Sequence, residues 1–384
     1  MNPERIGGVP FLSFIQGGFE GCTHRRPDRR QLDLIAATNH DRDAAVHYDL
    51  LASVGIRTCR DALRWHLIEQ RPNHYDWSSF LPMLEAAREA RMEIIWDLCH
   101  WGVPHHIDIW TPAFIERFAL FAGAAAAIIR DHRPDPPVYC AINEISFWSW
   151  SGGDMRGLYL TDAARGQDLK RQLVRASIAA IRTVKQVDPR ARFVQPEPLI
   201  NIVAHPERPW QRDEAEGHRG SQFAAWDMLT GRAEPELGGS EDCLDIVGAN
   251  FYFNNQWIHR DSTLALGHRL YRPLHEMLGE LAERYNRPIL ISETGAEAGN
   301  AVGWLSYIMI EARRALAAGV PLAGVCLYPV MDFPGWDDDR HCRCGLIATD
   351  HDYRNPTLEP GLLAQLLEQD HLFQRSGLGP ILIR

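Results

Sequence analysis

Residues 93–144 decide the fold. They begin with EIIWDLCH (residues 93–100), continue with TPAFIERFALFAGAAAAIIR (residues 111–130) and end with VYCAINE (residues 138–144). The first and last of these are short runs of apolar, β-branched and aromatic residues, which are typical of buried strands. In the stretch between them, apolar side chains recur at steps of three and four residues, the period of an amphipathic helix. A strand, a helix and a second strand in this order predict a parallel β–α–β unit.

The same alternation continues along the whole chain. The predicted strands are Phe11–Gly18, Ile56–Arg60, Glu93–His100, Val138–Glu144, Ala191–Glu197, Leu244–Tyr252, Pro288–Glu293 and Leu322–Pro329. The predicted helices between them include Ser79–Arg91, Thr111–Arg130, Leu169–Val187, Tyr271–Arg284 and Gly303–Ala318. Eight such units favour a closed (β/α)₈ barrel of the α/β class. The alternative is an open doubly wound sheet, but no GxGxxG sequence opens the first strand–helix turn.

The chain length sets the expected domain organisation. At about 150 residues per domain, 384 residues would make more than two domains, but barrels of this class reach over 400 residues as one unit. We therefore expect one catalytic barrel over residues 1–374. Residues 375–384 are expected to be a tail docked on the barrel, or else the beginning of a linker. Residues 201–220 lack periodicity and predict a long loop over one face.

Composition and charge exclude several classes of function. Forty Lys and Arg residues against fifty Asp and Glu residues give a net charge of −10, which does not fit a nucleic-acid-binding groove. The longest apolar run, residues 118–129, is shorter than the ~20 residues of a membrane span and predicts a core helix. Four of the eight cysteines lie inside strand-like runs, which favours a reduced, cytoplasmic protein. The sequence HCRC (residues 341–344) lacks a second Cys/His pair, so we expect no metal and no cofactor.

In a (β/α)₈ barrel, catalytic groups lie at the C-terminal ends of the strands. Three of the predicted strands end in glutamate, namely Glu144, Glu197 and Glu293. Glu144 at the fourth strand and Glu293 at the seventh lie on opposite sides of the predicted ring, from which their carboxyl groups can face each other across one pocket. Each of them could simply form a buried ion pair or cap the next helix. Two carboxyl groups that face one pocket are, however, what glycoside hydrolysis requires: one is a proton donor and the other is a nucleophile or base.

The neighbours of the two glutamates predict different protonation states. Arg60 and a hydrogen bond from Tyr252 would keep Glu293 ionised. Apolar surroundings and the charge of Glu293 would instead raise the pKa of Glu144. The aromatic residues that could supply such surroundings are Phe147, Trp148 and Trp150. The pair therefore has the asymmetry that an acid and a nucleophile need.

Taken in order, these motifs resemble glycoside hydrolase family 1, the β-glucosidase and β-galactosidase type of clan A. Ile142-Asn143-Glu144 is similar to the family's Asn-Glu-Pro motif with the acid/base, and Ser292-Glu293-Thr294-Gly295 is similar to its Thr-Glu-Asn-Gly motif with the nucleophile. The other matching segments are Arg60, Cys99–Pro104 (the His-Trp-Asp-x-Pro segment), Asn250–Tyr252 (Asn-Tyr-Tyr), and Tyr328–Trp336 with Arg343–Leu346 (the strand-8 loop and the following Arg-Phe-Gly-Leu).

The chain departs from the family at two positions that contact the glycone. Gly18 stands where the family has the Gln of Gln-x-Glu-Gly, and Gly335 stands where it has the Glu before Trp336. The resemblance therefore implies a divergent and shortened relative. Its catalytic pair is retained, and a glucose or galactose glycone is not implied.

The resemblance implies a glycoside hydrolase of the retaining type, acting on a β-linked glycoside through a covalent glycosyl-enzyme. Glu144 would be the acid/base and Glu293 the nucleophile. The expected substrate-binding residues are Arg60, His100, Trp101, Asn143, Asn250, Tyr252, Tyr328 and Trp336. The expected partner is a saccharide or glycoside, with neither nucleic acid nor membrane. Three alternatives stay open: a sugar-binding barrel without turnover, a transglycosidase with the same site, and a metal-dependent hydrolase with His100, His105 and His106.

Overall fold

Eight parallel strands close into a barrel in this computed structural model, which describes residues 11–133, 135–155, 157–158 and 164–383. The strands β1 to β8 are Ile15–Gly18, Thr58–Ala62, Glu93–Cys99, Val138–Ile142, Arg192–Pro198, Ile246–Asn250, Ile289–Thr294 and Leu322–Leu327. Each strand pairs with the strands that precede and follow it in the chain, and β1 pairs with β8 to close the ring. The predicted (β/α)₈ barrel is confirmed.

Helices surround the barrel. The α-helices of the described residues are Leu34–Ala37, His40–Ser53, Trp65–Ile68, Leu81–Glu89, Pro112–His132, Ile145–Trp148, Gly166–Val187, Arg212–Gly220, Ala224–Leu229, Leu274–Tyr285, Ala301–Ala317 and Pro360–Arg375. The loops contain three short two-stranded sheets. They pair Asn201–Val203 with Gln256–Ile258, Phe333–Pro334 with His341–Cys342, and Ile347–Ala348 with Thr357–Leu358.

The barrel interior is filled by side chains. One cluster of buried residues comes from the strands β3 to β8 and from the segment that precedes β1: Phe11, Ile95, Val138, Cys140, Val194, Ile246, Leu290 and Ala323. Side chains alternate along a strand, so Asp97, two residues beyond Ile95, faces the same interior nearer the C-terminal end of β3. The apolar cluster therefore forms the floor beneath the polar residues that end the strands.

The prediction of a long loop over residues 201–220 is wrong. This segment contains the short strand Asn201–Val203 and the helix Arg212–Gly220. The helix buries only Ala215, so it has no apolar stripe from which a helical period could be recognised. Arg219 pairs with Glu216 on the same helix and with Glu280 on a neighbouring helix, and these polar contacts hold the segment in place.

The Ala-rich helix Pro112–His132 is a helix of the outer layer. By length and composition it could cross a membrane, but 50% of its most apolar window is buried inside the structure. Phe114, Phe118 and Phe121 contact the buried ring of Trp65. These contacts agree with the core helix predicted for this run.

The C-terminal tail packs against the N-terminal ends of the strands. Ile381 is fully buried, its carbonyl oxygen accepts from the Ile15 amide, and the Ile383 amide donates to the Gly55 carbonyl. The Asp370 carboxylate accepts from the amides of Ile381 and Leu382. The tail thus lies at the end of the barrel opposite the ends where the two glutamates lie.

Candidate active site

Arg60 is the centre of a buried polar network at the C-terminal ends of the strands. Its Nε and Nη2 atoms donate to both carboxylate oxygens of Asp97, at 2.9 and 2.7 Å. Nη2 also donates to Asn143 Oδ1 at 2.6 Å, and Nη1 donates to Glu293 Oε1 at 2.7 Å. A buried guanidinium is stable only when its charge and its N–H groups are satisfied. One side chain from β2 therefore holds residues of β3, β4 and β7 together.

Asp97 was not among the sequence-predicted site residues. Burial, the largest single influence, raises the pKa of Asp97, but the charge of Arg60 and the hydrogen bond from His100 Nδ1 at 3.0 Å act together against it, so the pKa is lowered. A charged residue in the middle of the run EIIWDLC was the available signal, because such a residue must have a partner when it is buried. That partner, Arg60, lies on the preceding strand.

Glu293 accepts a hydrogen bond on each of its carboxylate oxygens. Arg60 Nη1 donates to Oε1 at 2.7 Å, and the Tyr252 hydroxyl donates to Oε2 at 3.0 Å. Both contacts were predicted from the sequence and are present. Glu293 is 5% exposed, so a cation and a phenol both hydrogen-bond to a buried carboxyl group.

Glu144 has a different environment. Its hydrogen-bond donor is a neutral amide, since Asn250 Nδ2 donates to Oε1 at 2.8 Å. The Asn250 Oδ1 atom in turn accepts from the Ser292 hydroxyl at 2.6 Å, which links Glu144 to the residue preceding Glu293. Burial, followed by the negative charge of Glu293, raises the pKa of Glu144 well above its usual value. The environment of Glu144 thus favours the protonated form of its carboxyl group.

The backbone at Glu144 is left-handed, with φ of 43° and ψ of 63°. A residue with a Cβ adopts this conformation at a cost of about 1–3 kcal/mol, so the surrounding structure must enforce it. The Glu144 side chain does not cap the following helix, Ile145–Trp148, which removes one of the two structural alternatives considered for it. Of the expected aromatic neighbours, Trp148 is buried but Trp150 is 52% exposed, so Trp150 does not enclose Glu144 as expected.

Asn143 hydrogen-bonds to both His100 and Trp101. Asn143 Nδ2 donates to His100 Nε2 at 2.9 Å, and Trp101 Nε1 donates to the Asn143 carbonyl oxygen at 2.9 Å. All three residues are buried. These contacts fix the backbone just before Glu144, and a ligand hydroxyl that donates to His100 Nε2 has to replace the contact with Asn143.

The predicted aromatic residues meet around Trp101. The Trp336 ring meets the Trp101 ring edge to face, with centroids 5.3 Å apart, and Phe147 and His24 pack against both. Tyr328 is buried, with its ring 5.3 Å below the Arg60 guanidinium. Trp336 and Phe147 are only partly buried, so of these rings they are the ones with surface to offer a ligand.

Two loops are tied together at the rim of the site. Arg26, in the loop after β1, donates from Nη1 to Asp339 Oδ1 at 2.8 Å and from Nη2 to the Asp337 carbonyl oxygen. Arg30 also pairs with Asp339, at 3.2 Å. These contacts fix the strand-8 loop that carries Trp336, although neither arginine was expected to contribute to the site.

One group among the described residues has donor atoms close enough to hold a metal ion: Glu20, Cys22 and His100. The three side chains are buried, but His100 Nδ1 contacts Asp97 and Nε2 accepts from Asn143. Both ring nitrogens are therefore engaged, and the donor set does not suit a resident metal. In the part of the chain that the structure describes, His105 and His106 form no such group with His100.

Comparison of the sequence with protein-family models gave no match, and no curated protein matches it. Comparison of the structure did give matches. β-Glucosidase from Thermotoga maritima in complex with glucoimidazole aligns with a TM-score of 0.75 and 13% identity, covering 95% of this chain and 99% of that chain. The chain has the fold of a family 1 β-glucosidase.

Two further structures give the same result. The β-glycosidase from Thermosphaera aggregans aligns with a TM-score of 0.72 and 17% identity, covering 95% of this chain and 99% of that chain. The AHE enzyme from Alicyclobacillus herbarius aligns with a TM-score of 0.74 and 15% identity, covering 94% and 99%. At these identities the likeness establishes the fold, and the chemistry has to be argued from the residues of the site.

Proposed function

We propose that this protein is a retaining β-glycosidase that hydrolyses a β-linked glycoside through a covalent glycosyl-enzyme intermediate. The observation that carries the proposal is the contrast between two buried glutamates at the ends of β4 and β7. Glu293 accepts from a guanidinium and a phenol, whereas Glu144 accepts from a neutral amide and has a raised pKa. Paired carboxyl groups with opposite protonation states are the requirement for glycoside cleavage.

In the first step, the Glu293 carboxylate attacks the anomeric carbon of the sugar. The bond from that carbon to the leaving oxygen breaks, and the proton of Glu144 moves to the leaving oxygen. Arg60 and Tyr252 hold Glu293 in place, because each donates to a different carboxylate oxygen. The products of this step are a free alcohol, a glycosyl ester of Glu293 and an ionised Glu144.

In the second step, Glu144 acts as a base. It takes a proton from a water molecule whose oxygen attacks the anomeric carbon, and the bond to Glu293 breaks. The pKa of Glu144 is raised partly by the charge of Glu293, and the ester has no such charge. Esterification therefore lowers the pKa of Glu144 at the stage at which it must accept a proton.

The structural neighbours support the reaction class and leave the sugar open. The Thermotoga maritima and Thermosphaera aggregans proteins are named β-glucosidase and β-glycosidase, and the former has been seen with glucoimidazole. In this chain Gly18 and Gly335 stand at two positions where the family that its motifs resemble has glycone contacts. We therefore propose a β-glycoside as the substrate class without assigning glucose.

The test is a panel of nitrophenyl β-glycosides with several different sugars. We expect hydrolysis of at least one of them, with a loss of a thousandfold or more in kcat for Glu293→Gln. Glu197→Gln is the matched control, since Glu197 is also a buried glutamate at a strand end, where it accepts from the Ser146 amide and the Gln195 side chain. This control should stay within tenfold of the wild type. Wild-type activity in Glu293→Gln would refute the nucleophile assignment.

Two alternatives are separated by the same panel. A transglycosidase forms the same glycosyl-enzyme but transfers the sugar to a second sugar, so added acceptor saccharides would give longer products. A sugar-binding barrel without turnover would bind saccharides in calorimetry and cleave none of the panel. The hydrogen bond between Asn143 and His100 favours testing this second alternative, because both ring nitrogens of His100 already have partners.

We also propose a cytoplasmic location. All eight cysteines lie in the described part of the chain and are free thiols, and seven of them are buried. Reduced thiols of this kind are typical of proteins in reducing compartments. Cell fractionation of a tagged protein tests the proposal, and recovery from the medium or the periplasm would contradict it.

A further inference from the structure

Two buried polar side chains that follow β1 take no part in the proposed reaction. Glu20 is 8% exposed, and its carboxylate accepts from the Cys22 amide at 3.2 Å. The only basic group within 4.0 Å of this carboxylate, among the described residues, is His100 Nε2. His24 is 4% exposed, and its Nδ1 atom has no hydrogen-bond partner in the part of the chain that the structure describes. Buried polar groups are normally paired, so both side chains are candidates to bind a ligand.

Glu20 belongs to the same pocket as the two proposed catalytic glutamates. Burial raises the pKa of Glu20, His100 partly offsets this effect, and the negative charge of Glu293 adds to the rise. Burial also raises the pKa of the Tyr252 hydroxyl, and the charges of all three glutamates add to that rise. Glu20 Oε1 lies 4.0 Å from His100 Nε2, so a sugar hydroxyl that reaches His100 also comes within reach of Glu20.

His24 lies among the aromatic rings of the site. The centroid of its ring is 5.8 Å from that of Trp101 and 5.6 Å from that of Trp336. Burial, followed by the proximity of His100 and Arg26, lowers the pKa of His24 to about 3, so the ring is neutral at neutral pH. A neutral imidazole has one donor nitrogen and one acceptor nitrogen. Trp336 Nε1 is also buried without a partner among the described residues, so unused polar atoms of two loops meet here.

Position 18, at the end of β1, cannot supply a sugar contact. A Cβ atom on Gly18 would overlap the ring of Tyr328. That ring is 2% exposed, and its hydroxyl accepts from the Gly21 amide at 3.2 Å, so it is held in place. A larger residue therefore does not fit at position 18, and the polar contacts from this side of the site come from Glu20 and His24.

We infer that Glu20 and His24 bind hydroxyl groups of the sugar ring and determine which sugars the protein accepts. A carboxylate accepts from hydroxyls, and a neutral imidazole both donates and accepts, so together they match a ring with several hydroxyl groups. Arg60 compensates Asp97 and Glu293, and no Arg or Lys among the described residues pairs with Glu20. A sugar carboxylate or phosphate beside Glu20 would be repelled, so the substrate class is a neutral β-glycoside. The inference rests on the proposed function for the reaction, and it adds the residues that select the sugar.

The test is calorimetric binding to the Glu293→Gln variant, which does not turn over its ligand. The probes are the neutral methyl β-glycosides of glucose, galactose and xylose, and the anionic methyl β-glucuronide. We expect at least one neutral probe to bind, and the glucuronide to bind at least about tenfold more weakly than that probe. Adding Glu20→Gln should weaken binding of the neutral probe at least about tenfold, because a hydrogen bond to a charged group is lost. It should also reduce the discrimination against the glucuronide.

His24 is tested in the same background with two substitutions. His24→Leu should weaken binding of the neutral probe at least about tenfold, because the ligand hydroxyl loses its partner. His24→Asn, which has a donor and an acceptor, should recover most of that loss. Equal losses in His24→Leu and His24→Asn would assign a purely structural role to His24 and would overturn its part of the inference.

The matched control is Glu197→Gln in the Glu293→Gln background, because Glu197 is a buried glutamate at a strand end whose carboxylate accepts from the Ser146 amide. It should bind all probes as the parent variant does. Unchanged binding in Glu20→Gln, or an equal loss for neutral and anionic probes, would overturn the role of Glu20, and binding of none of the probes would overturn the whole inference. Hydrolysis by the wild type with the same sugar preference in Glu20→Gln and His24→Leu would overturn the inference alone. The expected binding pattern without hydrolysis of any glycoside would overturn the proposed function alone.

Discussion

Arg60 Nη1 lies 2.7 Å from Glu293 Oε1, although the two residues come from β2 and β7, which are separated on the ring by β1 and β8. The same guanidinium holds Asp97 with two hydrogen bonds. One cation therefore compensates two buried carboxylates. The nucleophile proposed for the reaction is positioned by the same side chain that stabilises the fold at this end of the barrel.

The Arg60→Met variant should be strongly destabilised and inactive. It leaves Asp97 and Glu293 buried without their cation, and breaking a buried ion pair in this way costs about 3–5 kcal/mol. Urea denaturation measures the loss. Arg314→Met is the control, since the Arg314 side chain is 60% exposed and pairs with Glu311 one helical turn away, so it should cost less than about 1 kcal/mol. Equal losses of stability in the two variants would contradict the role of Arg60 in stabilising these two carboxylates.

The raised pKa of Glu144 predicts how Glu144→Gln changes stability with pH. As the pH rises above 4.5, the unfolded chain loses this proton while the folded protein retains it. Stability then falls by about 1.4 kcal/mol per pH unit until the folded-state pKa is reached. Glu144→Gln removes this penalty, so thermal melting should show it to be more stable than the wild type at pH 8 and no more stable at pH 4. A stability difference that does not vary with pH would be inconsistent with this environment.

The tie between Arg26 and Asp339 should affect substrate affinity more than turnover. Arg26→Ala releases the loop that holds Trp336 against Trp101, while the contacts of Glu144 and Glu293 stay intact. We expect KM to rise severalfold with kcat changed by less than threefold. Arg30→Ala is the control, because the Arg30 side chain is 57% exposed and its pairing with Asp339 is more screened. A fall in kcat at unchanged KM would count against this role for Arg26.

A second buried cluster predicts sensitivity to acid. His47 contacts His40, which in turn contacts Asp61, and burial followed by the proximity of His40 lowers the pKa of His47 to about 3. As the pH falls from 6.5 to 3, His47 takes up a proton in the unfolded chain but not in the folded protein. The free energy of unfolding therefore falls by about 1.4 kcal/mol for each pH unit.

His47→Asn retains a side chain that can hydrogen-bond to His40 and removes this proton. Chemical denaturation over this pH range should therefore show a shallower loss of stability for His47→Asn than for the wild type. His74→Gln, at an exposed position, should follow the wild type. Parallel curves for His47→Asn and the wild type would contradict the burial of a neutral His47.

The barrel was predictable because each strand is an apolar run followed by a polar or aromatic residue. β7, Ile289–Thr294, is buried along its whole length, and such a strand is recognisable from composition alone. The helix Arg212–Gly220 was not recognised, because ion pairs rather than an apolar stripe hold it in place. Hydrophobic periodicity indicates which face of a helix is buried, so it cannot indicate a helix that buries only one side chain.

The two glutamates were predictable for the same reason, since a charged group directly after an apolar strand is conspicuous. Asp97 and Arg26 were missed, because the role of each depends on an ion-pair partner that the sequence alone does not identify. Sequence position indicates which residues lie at the end of the barrel. It does not indicate which of these side chains hydrogen-bond to one another, as those of His100 and Asn143 do.

The most direct test of the central claim is the anomeric form of the first sugar released. Proton NMR follows the hydrolysis of a β-glycoside that the wild-type protein cleaves, within the first minutes and before the sugar mutarotates. With Glu293 as nucleophile and Glu144 as acid/base, the β-anomer appears first. If the α-anomer appears first, the water attacks directly, and the account of Glu293 as nucleophile is wrong.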